Sequence, residues 1–231
     1  MPLDPFGDYE TRGYLQNRSA HKDPAAIARQ EQWSYRLGIE EARAELAQGP
    51  LDYAAVLETH RILFCAAYPT WAGQDRAATA PDLRIYRPGM RFDFALPGSE
   101  REIVEHALDS EEAHSPGQLF TLLAYAHPFL DGNGRTITTV MDEAMRRQGK
   151  HIEWERMDTG AYLAALTRSL NTSNATPMNA FLRPFVKAGA LSAEENSKRL
   201  EDKTLEPRVG TEPPLTMESL ITSLVSRKSD P

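Results

Sequence analysis

The sequence contains one cysteine, Cys65, and so cannot form an internal disulfide. A chain stabilised by packing alone suits a reducing compartment such as the cytosol. Cys65 falls in the apolar helical stretch LETHRILFCAAY, where a small core residue is the expected role. Positive charge is also in short supply: 26 Lys and Arg stand against 33 Asp and Glu, a net charge of −7. That balance argues against DNA or RNA binding, which depends on neutralising many phosphates, but it leaves room for a local basic pocket. No apolar run approaches the length of a bilayer, and the N-terminal MPLDPFGDYE lacks a basic region followed by an apolar one. Membrane insertion and Sec-type secretion are therefore not expected. Cys/His clusters with zinc spacing and nucleophile-elbow sequences are missing too, which excludes two further kinds of chemistry.

The 231 residues, 41% apolar and 26% charged, suit one substantial globular domain with appendages. Residues 1–23 show no period and read as an extended arm. From Pro24 to about Gln48 the composition favours helix, with Pro at the first turn and Gly49-Pro50 as the stop. Asp52 can cap a second helix whose apolar face is Val56, Leu57, Leu63 and Phe64. Leu83 and Ile85, then Phe92 and Phe94, alternate with polar neighbours around Arg87-Pro88-Gly89-Met90, the signature of a short β-hairpin with a type II turn. Helical periodicity returns with Ile103, Val104, Ala107 and Leu108, and again from Leu119 to Ala126, which is apolar on nearly every side. Ile137, Val140, Met141, Ala144 and Met145 form a clean helical stripe closed by Gly149. Further helices are expected around Tyr162 to Leu170 and Met178 to Val186. After about Leu191 the chain turns polar, with one short helix expected over Met217 to Val225.

Between the buried helix and the striped one lies His127-Pro128-Phe129-Leu130-Asp131-Gly132-Asn133-Gly134-Arg135. Gly132 and Gly134 let the backbone turn sharply and approach a ligand. The N–H groups opening the next helix, backed by its dipole, form an anion hole suited to phosphate. Arg135 in the first helical turn disfavours the dipole unless something negative lies opposite, and a phosphate would meet that need. Asp131 is a hard oxygen ligand of the kind Mg²⁺ uses beside substrate phosphates. His127 titrates near neutrality a few residues away. Base, metal ligand, anion hole and arginine are the parts of a phosphoryl or nucleotidyl transfer site.

This segment resembles the motif of the Fic family, HPFx(D/E)GNGRxxR, without a gap from His127 to Arg135. Trp71-Ala72-Gly73-Gln74-Asp75-Arg76 is similar to the family's WAGxxR element, residues 87–97 take the place of its flap, and the resemblance covers roughly residues 51–187. It implies a mainly α fold, a helical bundle with a short β-hairpin flap. The implied layout is an N-terminal arm and helix over 1–50, a catalytic domain over 51–190 and a polar tail over 191–231. The implied activity is transfer of AMP from Mg²⁺-bound ATP to a Tyr, Ser or Thr hydroxyl of a target protein, in a bacterial toxin or effector. In that scheme His127 deprotonates the target hydroxyl and Asp131 holds the Mg²⁺. Gly132, Asn133 and Gly134 cradle the phosphates, and Arg135 contacts the outer ones. The flap edge Arg91, Phe92, Asp93 and Phe94 docks the target by strand addition, while Pro128 and Phe129 shape the loop. The expected location is the bacterial cytoplasm, or a host cytosol for an effector.

Two departures qualify the resemblance. Thr138 stands where the family has its last arginine, so a catalytically weak nucleotide- or protein-binding relative is the alternative, as is another donor such as UTP, GTP or CDP-choline. Gly134 matches the motif and stands where the family's kinase branch has Lys, which argues against kinase activity. The inhibitory pattern [S/T]xxxE[G/N] also fails: Glu195-Asn196 is the nearest approach, and Leu191 occupies the position of the Ser or Thr. The implied restraint is a small separate antitoxin, or none. His60, on an apolar helix face, is expected to be a satisfied core histidine, and Trp154 and Tyr162 core aromatics.

Overall fold

The computed structural model describes residues 15–85, 91, 93–109, 115–189, 191 and 195. The described part is mostly helical. In chain order it runs α1 (Pro24–Gln48), α2 (Tyr53–Phe64), α3 (Arg76–Thr79), α4 (Glu100–Asp109), α5 (Pro116–Ala126), α6 (Asn133–Arg147), β1 (Lys150–Ile152), α7 (Thr159–Thr172), α8 (Thr176–Leu182) and β2 (Val186–Ala188), with a 3-10 turn at Trp154–Arg156.

Aspartate side chains cap four of these helices. The Asp23 carboxylate accepts the N–H groups of Ala25 and Ala26, and Pro24 supplies the preset φ of a first helical residue. Asp52, Asp75 and Asp158 cap α2, α3 and α7 in the same way. The apolar stripes then decide the packing. Tyr35, Ile39, Ala42 and Leu46 of α1 are buried, as are Val56, Ile62, Leu63 and Phe64 of α2. The two helices touch closely at Gly38, where a Cβ would stand 2.4 Å from the Ile62 carbonyl oxygen. Any side chain there would force the helices apart.

Helix α5 sits at the centre, packed on α4, α6, α7 and α8. Leu119, Phe120, Leu123 and Ala126 are accordingly buried, while Tyr125 is exposed. The expected α6 stripe is buried from Ile137 to Met145. A buried ion pair ties α1 to α6, with Arg43 Nη2 donating to Asp142 Oδ2 at 2.6 Å while Trp154 Nε1 donates to the other carboxylate oxygen at 2.7 Å. This clamp fixes α1 against the helix that follows the histidine loop.

One expectation needs correction, and others fall on residues outside those described. The helix expected to run from Met178 to Val186 stops at Leu182, and Val186–Ala188 is instead strand β2, antiparallel to β1 in the register Lys150↔Ala188. Three-residue strands are too short to show a period, and Pro184 cannot donate within a helix. The hairpin turn Arg87-Pro88-Gly89-Met90 and Phe92 lie outside the described residues, as do the helix expected over Met217 to Val225 and residues 1–14. Beside that turn, the Phe94 N–H donates to the Ile85 carbonyl at 2.9 Å, a pairing of the hairpin kind. The described end of the N-terminal arm is not extended throughout, since it turns at Arg18-Ser19 with the Ala20 N–H donating to the Asn17 carbonyl at 3.1 Å. It is anchored: the Gln16 carbonyl accepts from Trp71 Nε1 at 2.9 Å, and Arg18 Nε donates to the Ala66 carbonyl at 2.7 Å. Cys65 is half-buried, its thiol toward the Ile62 carbonyl. No described helix is long and apolar enough to cross a membrane.

Candidate active site

The loop from His127 to Gly132 joins two buried helices, and its backbone is bent at both ends. His127 terminates α5 in the left-handed region, φ 43° and ψ 57°. A residue with a Cβ pays about 1–2 kcal/mol there, so the surroundings must hold it. Arg76 does so. Its Nε donates to the His127 carbonyl at 2.6 Å, its Nη2 to those of Ala95 (2.5 Å) and Ala126 (3.3 Å), and its backbone N–H to that of Pro128 at 2.8 Å. Arg76 is fully buried with Glu100 3.7 Å away as counter-charge. The arginine of the WAGxxR element is thus a clamp on the loop.

At the other end Gly132 has φ 76°, and a Cβ there would sit 2.5 Å from the Phe64 ring. Only glycine fits both demands. Between the bends, Asn133 braces the loop: its Oδ1 accepts the Phe129 N–H at 2.9 Å and its Nδ2 donates to the Phe129 carbonyl at 2.7 Å. The same Nδ2 lies 3.2 Å from His127 Nε2. An amide N–H can only donate, so Nε2 is the unprotonated ring nitrogen and carries the lone pair a general base requires. Phe94 stacks on the His127 ring, with centroids 4.1 Å apart and planes 16° from parallel. Histidine position, tautomer and tilt are thus each set by a different neighbour.

His60 supports the loop from beneath. It is buried, stacks on Phe129 at 3.8 Å, accepts the Gly73 N–H at Nδ1 (2.8 Å) and lies 3.1 Å from the Asp131 carbonyl through Nε2. With Nδ1 accepting, Nε2 carries the proton and donates, as expected of a satisfied core histidine. Burial holds its pKa down at about 3. A lowered folded-state pKa means that the unfolded chain binds a proton near pH 6.5 that the fold does not, so stability present above that pH is lost on acidification. The stability advantage of the wild type over His60→Gln, from urea unfolding, is therefore expected to shrink by about 2 kcal/mol between pH 7 and pH 5. An unchanged gap would mean that His60 protonates within the fold.

Opposite the histidine, α6 opens without a side-chain cap. Gly134, in its first turn, is exposed, and a Cβ there would meet nothing within 4 Å. Neither packing nor a positive φ requires glycine at this position. Asp131 lies beside it with 48% of its side chain exposed, and its Oδ1 accepts the Gly132 N–H at 2.5 Å. Enclosure, then the nearby Glu31 carboxylate, push its pKa up to about 7, although water at the exposed side tempers both.

Arg135 is engaged by a residue that sequence reasoning did not single out. Its Nη2 donates to Glu31 Oε2 at 2.6 Å, and its guanidinium lies 4.6 Å above the Phe64 ring. Glu31, on α1 and buried, also accepts a hydrogen bond from the Tyr68 hydroxyl. The pairing spans 104 residues, and nothing in the local sequence of α1 signals it. Thr138 donates to the Gly134 carbonyl at 2.7 Å, so its hydroxyl turns back onto its own helix.

The flap residues divide. Phe94 points inward onto His127 and Asp93 lies 3.8 Å from Arg84. Arg91 is exposed, with its backbone N–H donating to Asn171 Oδ1 at 2.7 Å. The loop thus brings together His127, Asp131, Gly132, Asn133, Gly134, Arg135 and, from the flap, Phe94.

Residues 50–145 match the family model described as Fic/DOC family, and the chain carries a domain of that family. Among its relatives is the protein adenylyltransferase VbhT of Bartonella schoenbuchensis, 28% identical over 191 residues, which make up 78% of this chain and 38% of that protein. The chain thus spans well under half the length of that relative. The fold is similar to the N-terminal Fic domain of a VirB-translocated Bep effector protein of Bartonella quintana with bound ADP, at TM-score 0.68 and 22% identity over 78% of this chain and 94% of that one. It is similar also to the BepC effector protein of Bartonella tribocorum with bound AMPPNP, at TM-score 0.66 and 20% identity over 81% and 99% of the two chains.

Proposed function

We propose that this protein is an adenylyltransferase that moves AMP from ATP to a Tyr, Ser or Thr hydroxyl of a target protein, acting as a bacterial toxin or effector. The observation that carries the reading is the position of His127 Nε2, unprotonated, beside the uncapped start of α6. The name of the relative VbhT supports the same reaction class. His127 Nε2 takes the proton of the target hydroxyl, exchanging its contact with Asn133 for one with the substrate. The hydroxyl oxygen then forms a bond to the α-phosphorus, the bond from that phosphorus to the α,β-bridging oxygen breaks, and pyrophosphate leaves. The N–H groups at the start of α6 receive the phosphates, Gly134 giving the close approach and Arg135 the charge.

Among the described residues no three carboxylate, His or Cys side chains gather to hold a metal. That suits Mg²⁺ arriving with its nucleotide, which asks the protein for only one or two carboxylates. Asp131 would hold the ion, which would offset charge on the phosphates. In this reading residues 51–190 are the catalytic domain, 1–50 an arm packed on it and 191–231 a polar tail. The flap edge from Arg91 to Phe94 presents the target segment. The location would be the bacterial cytoplasm, or a host cytosol for an effector, with a small separate protein as restraint for a toxin.

The second reading, a weak binding protein, is favoured by Thr138, whose hydroxyl is spent on its own helix. Incubation with each α-³²P-labelled nucleoside triphosphate and Mg²⁺ in bacterial and eukaryotic lysates separates the two. A protein band labelled from ATP is the expected result. A band from another nucleotide alone would change the donor, and nucleotide binding without any band would favour the binding protein. Gly134→Ala sharpens the test, because its methyl group has open space yet stands where phosphate would lie. Thermal stability is expected to hold or rise, by up to about 1 kcal/mol, while ATP affinity measured by calorimetry falls at least about tenfold. Unchanged affinity would move the nucleotide elsewhere.

A further inference from the structure

Arg135 is the one arginine of the histidine loop's helix start that can grip outer phosphates, because the position one turn on is Thr138. Its partner is already in the chain. Glu31 comes from α1, is nine-tenths buried, and holds Arg135 Nη2 at 2.6 Å while accepting the Tyr68 hydroxyl. Tyr68 is buried and stacks on Trp71, with centroids 4.2 Å apart. The guanidinium rests on the Phe64 ring, the same ring that lies beneath Gly132.

Such a contact could be displaced by phosphate or could hold the arginine ready for it, and the burial decides between these. A phosphate that pulled Arg135 away would leave the Glu31 carboxylate enclosed with the Tyr68 hydroxyl as its main support. That desolvated charge opposes displacement. Only Nη2 is engaged by Glu31, so one edge of the guanidinium is fixed while the rest of its fork stays available to a ligand. Arg135 also retains 24% of its side-chain surface, which gives a ligand access.

We propose that Glu31 is a positioning residue: anchored by Tyr68, it fixes the Arg135 guanidinium over Phe64 in the orientation that receives the outer phosphates of the nucleotide. The inference rests on the nucleotide-transfer reading given above. It also gives α1 a part in the site, since the arm's helix supplies the carboxylate and the Arg43–Asp142 pair holds that helix against α6. The single remaining arginine works by being held rather than by having a second arginine beside it.

The test is ATP binding in the presence of Mg²⁺, by calorimetry, on the full chain carrying Glu31→Gln, Tyr68→Phe or Arg135→Ala, and on the Glu31→Gln/Arg135→Ala double variant, each with a thermal melt. Glu31→Gln keeps the shape and removes the charge, and is expected to raise the Kd for ATP about tenfold. Tyr68→Phe, a gentler change in the same chain of contacts, is expected to raise it by about threefold. In the Arg135→Ala background, Glu31→Gln should have no further effect on Kd, because the group it positions is gone. A role in stability alone would lower the melting temperature and leave Kd unchanged in the folded protein, overturning the proposal. Tighter ATP binding by Glu31→Gln would also overturn it, showing a contact that competes with phosphate. Absence of nucleotide binding by the wild type would overturn both this inference and the reading beneath it, whereas wild-type binding insensitive to Glu31 would overturn this inference alone.

Discussion

His127→Ala is expected to lower transfer of labelled AMP to protein by about a thousandfold or more, with ATP binding retained. The same loss is expected for His127→Asn, which tolerates the left-handed backbone at this position but has no basic lone pair. The pair separates chemistry from conformation. Alanine keeps the backbone strain and removes the ring stacked on Phe94, while asparagine eases the strain and keeps a polar group. Parallel melts would detect any loosening of the loop. Should either variant retain transfer near the wild-type rate, the proton must leave by another route and the geometry around Nε2 would lose its assigned meaning.

Arg76→Met is the second large effect. The substitution keeps much of the side-chain volume but removes every donor that holds the carbonyls of His127, Ala95 and Ala126, and it strands the buried Glu100. Breaking a buried ion pair on one side costs about 3–5 kcal/mol, which for a chain of this size corresponds to a melting temperature lower by about 10 °C. Transfer should fall as well in the fraction that remains folded, because the His127 carbonyl is no longer held. The double variant Arg76→Met/Glu100→Gln distinguishes the two effects. Removal of the stranded carboxylate should recover part of the stability and none of the activity. If the double variant melts no higher than Arg76→Met, Glu100 is not the source of the loss. If activity returns with stability, Arg76 acts on the fold alone.

The sequence was readable where a signal is local. The stripe from Ile137 to Met145, the apolar run of α5, Pro24 at a first turn and the capping Asp52 are each local signals, and the helices formed where those signals lie. The run from His127 to Arg135 was legible for the same reason, being one uninterrupted loop and helix start. The short sheet was not. Strands of three residues are paired by the arrival of distant backbone, as the Lys150↔Ala188 register shows, and that arrival leaves no period.

The divide within the site follows the same physics. The sequence by itself determined which groups are present: an imidazole, a carboxylate, two glycines and an arginine within nine residues, and the absence of a second arginine at Thr138. Only the tertiary structure decided what each one does to its neighbours. It spends the Asn133 side chain on the Phe129 backbone and on His127 Nε2, turns Phe94 inward onto the histidine, and makes Arg76 a clamp. It distinguishes two glycines alike in the sequence, one wedged against Phe64 and one facing open space. It also brings Glu31 to Arg135 from 104 residues away. Covalent proximity fixes which chemical groups share a loop, but orientation, tautomer and counter-charge come from side chains that meet only when the helices pack.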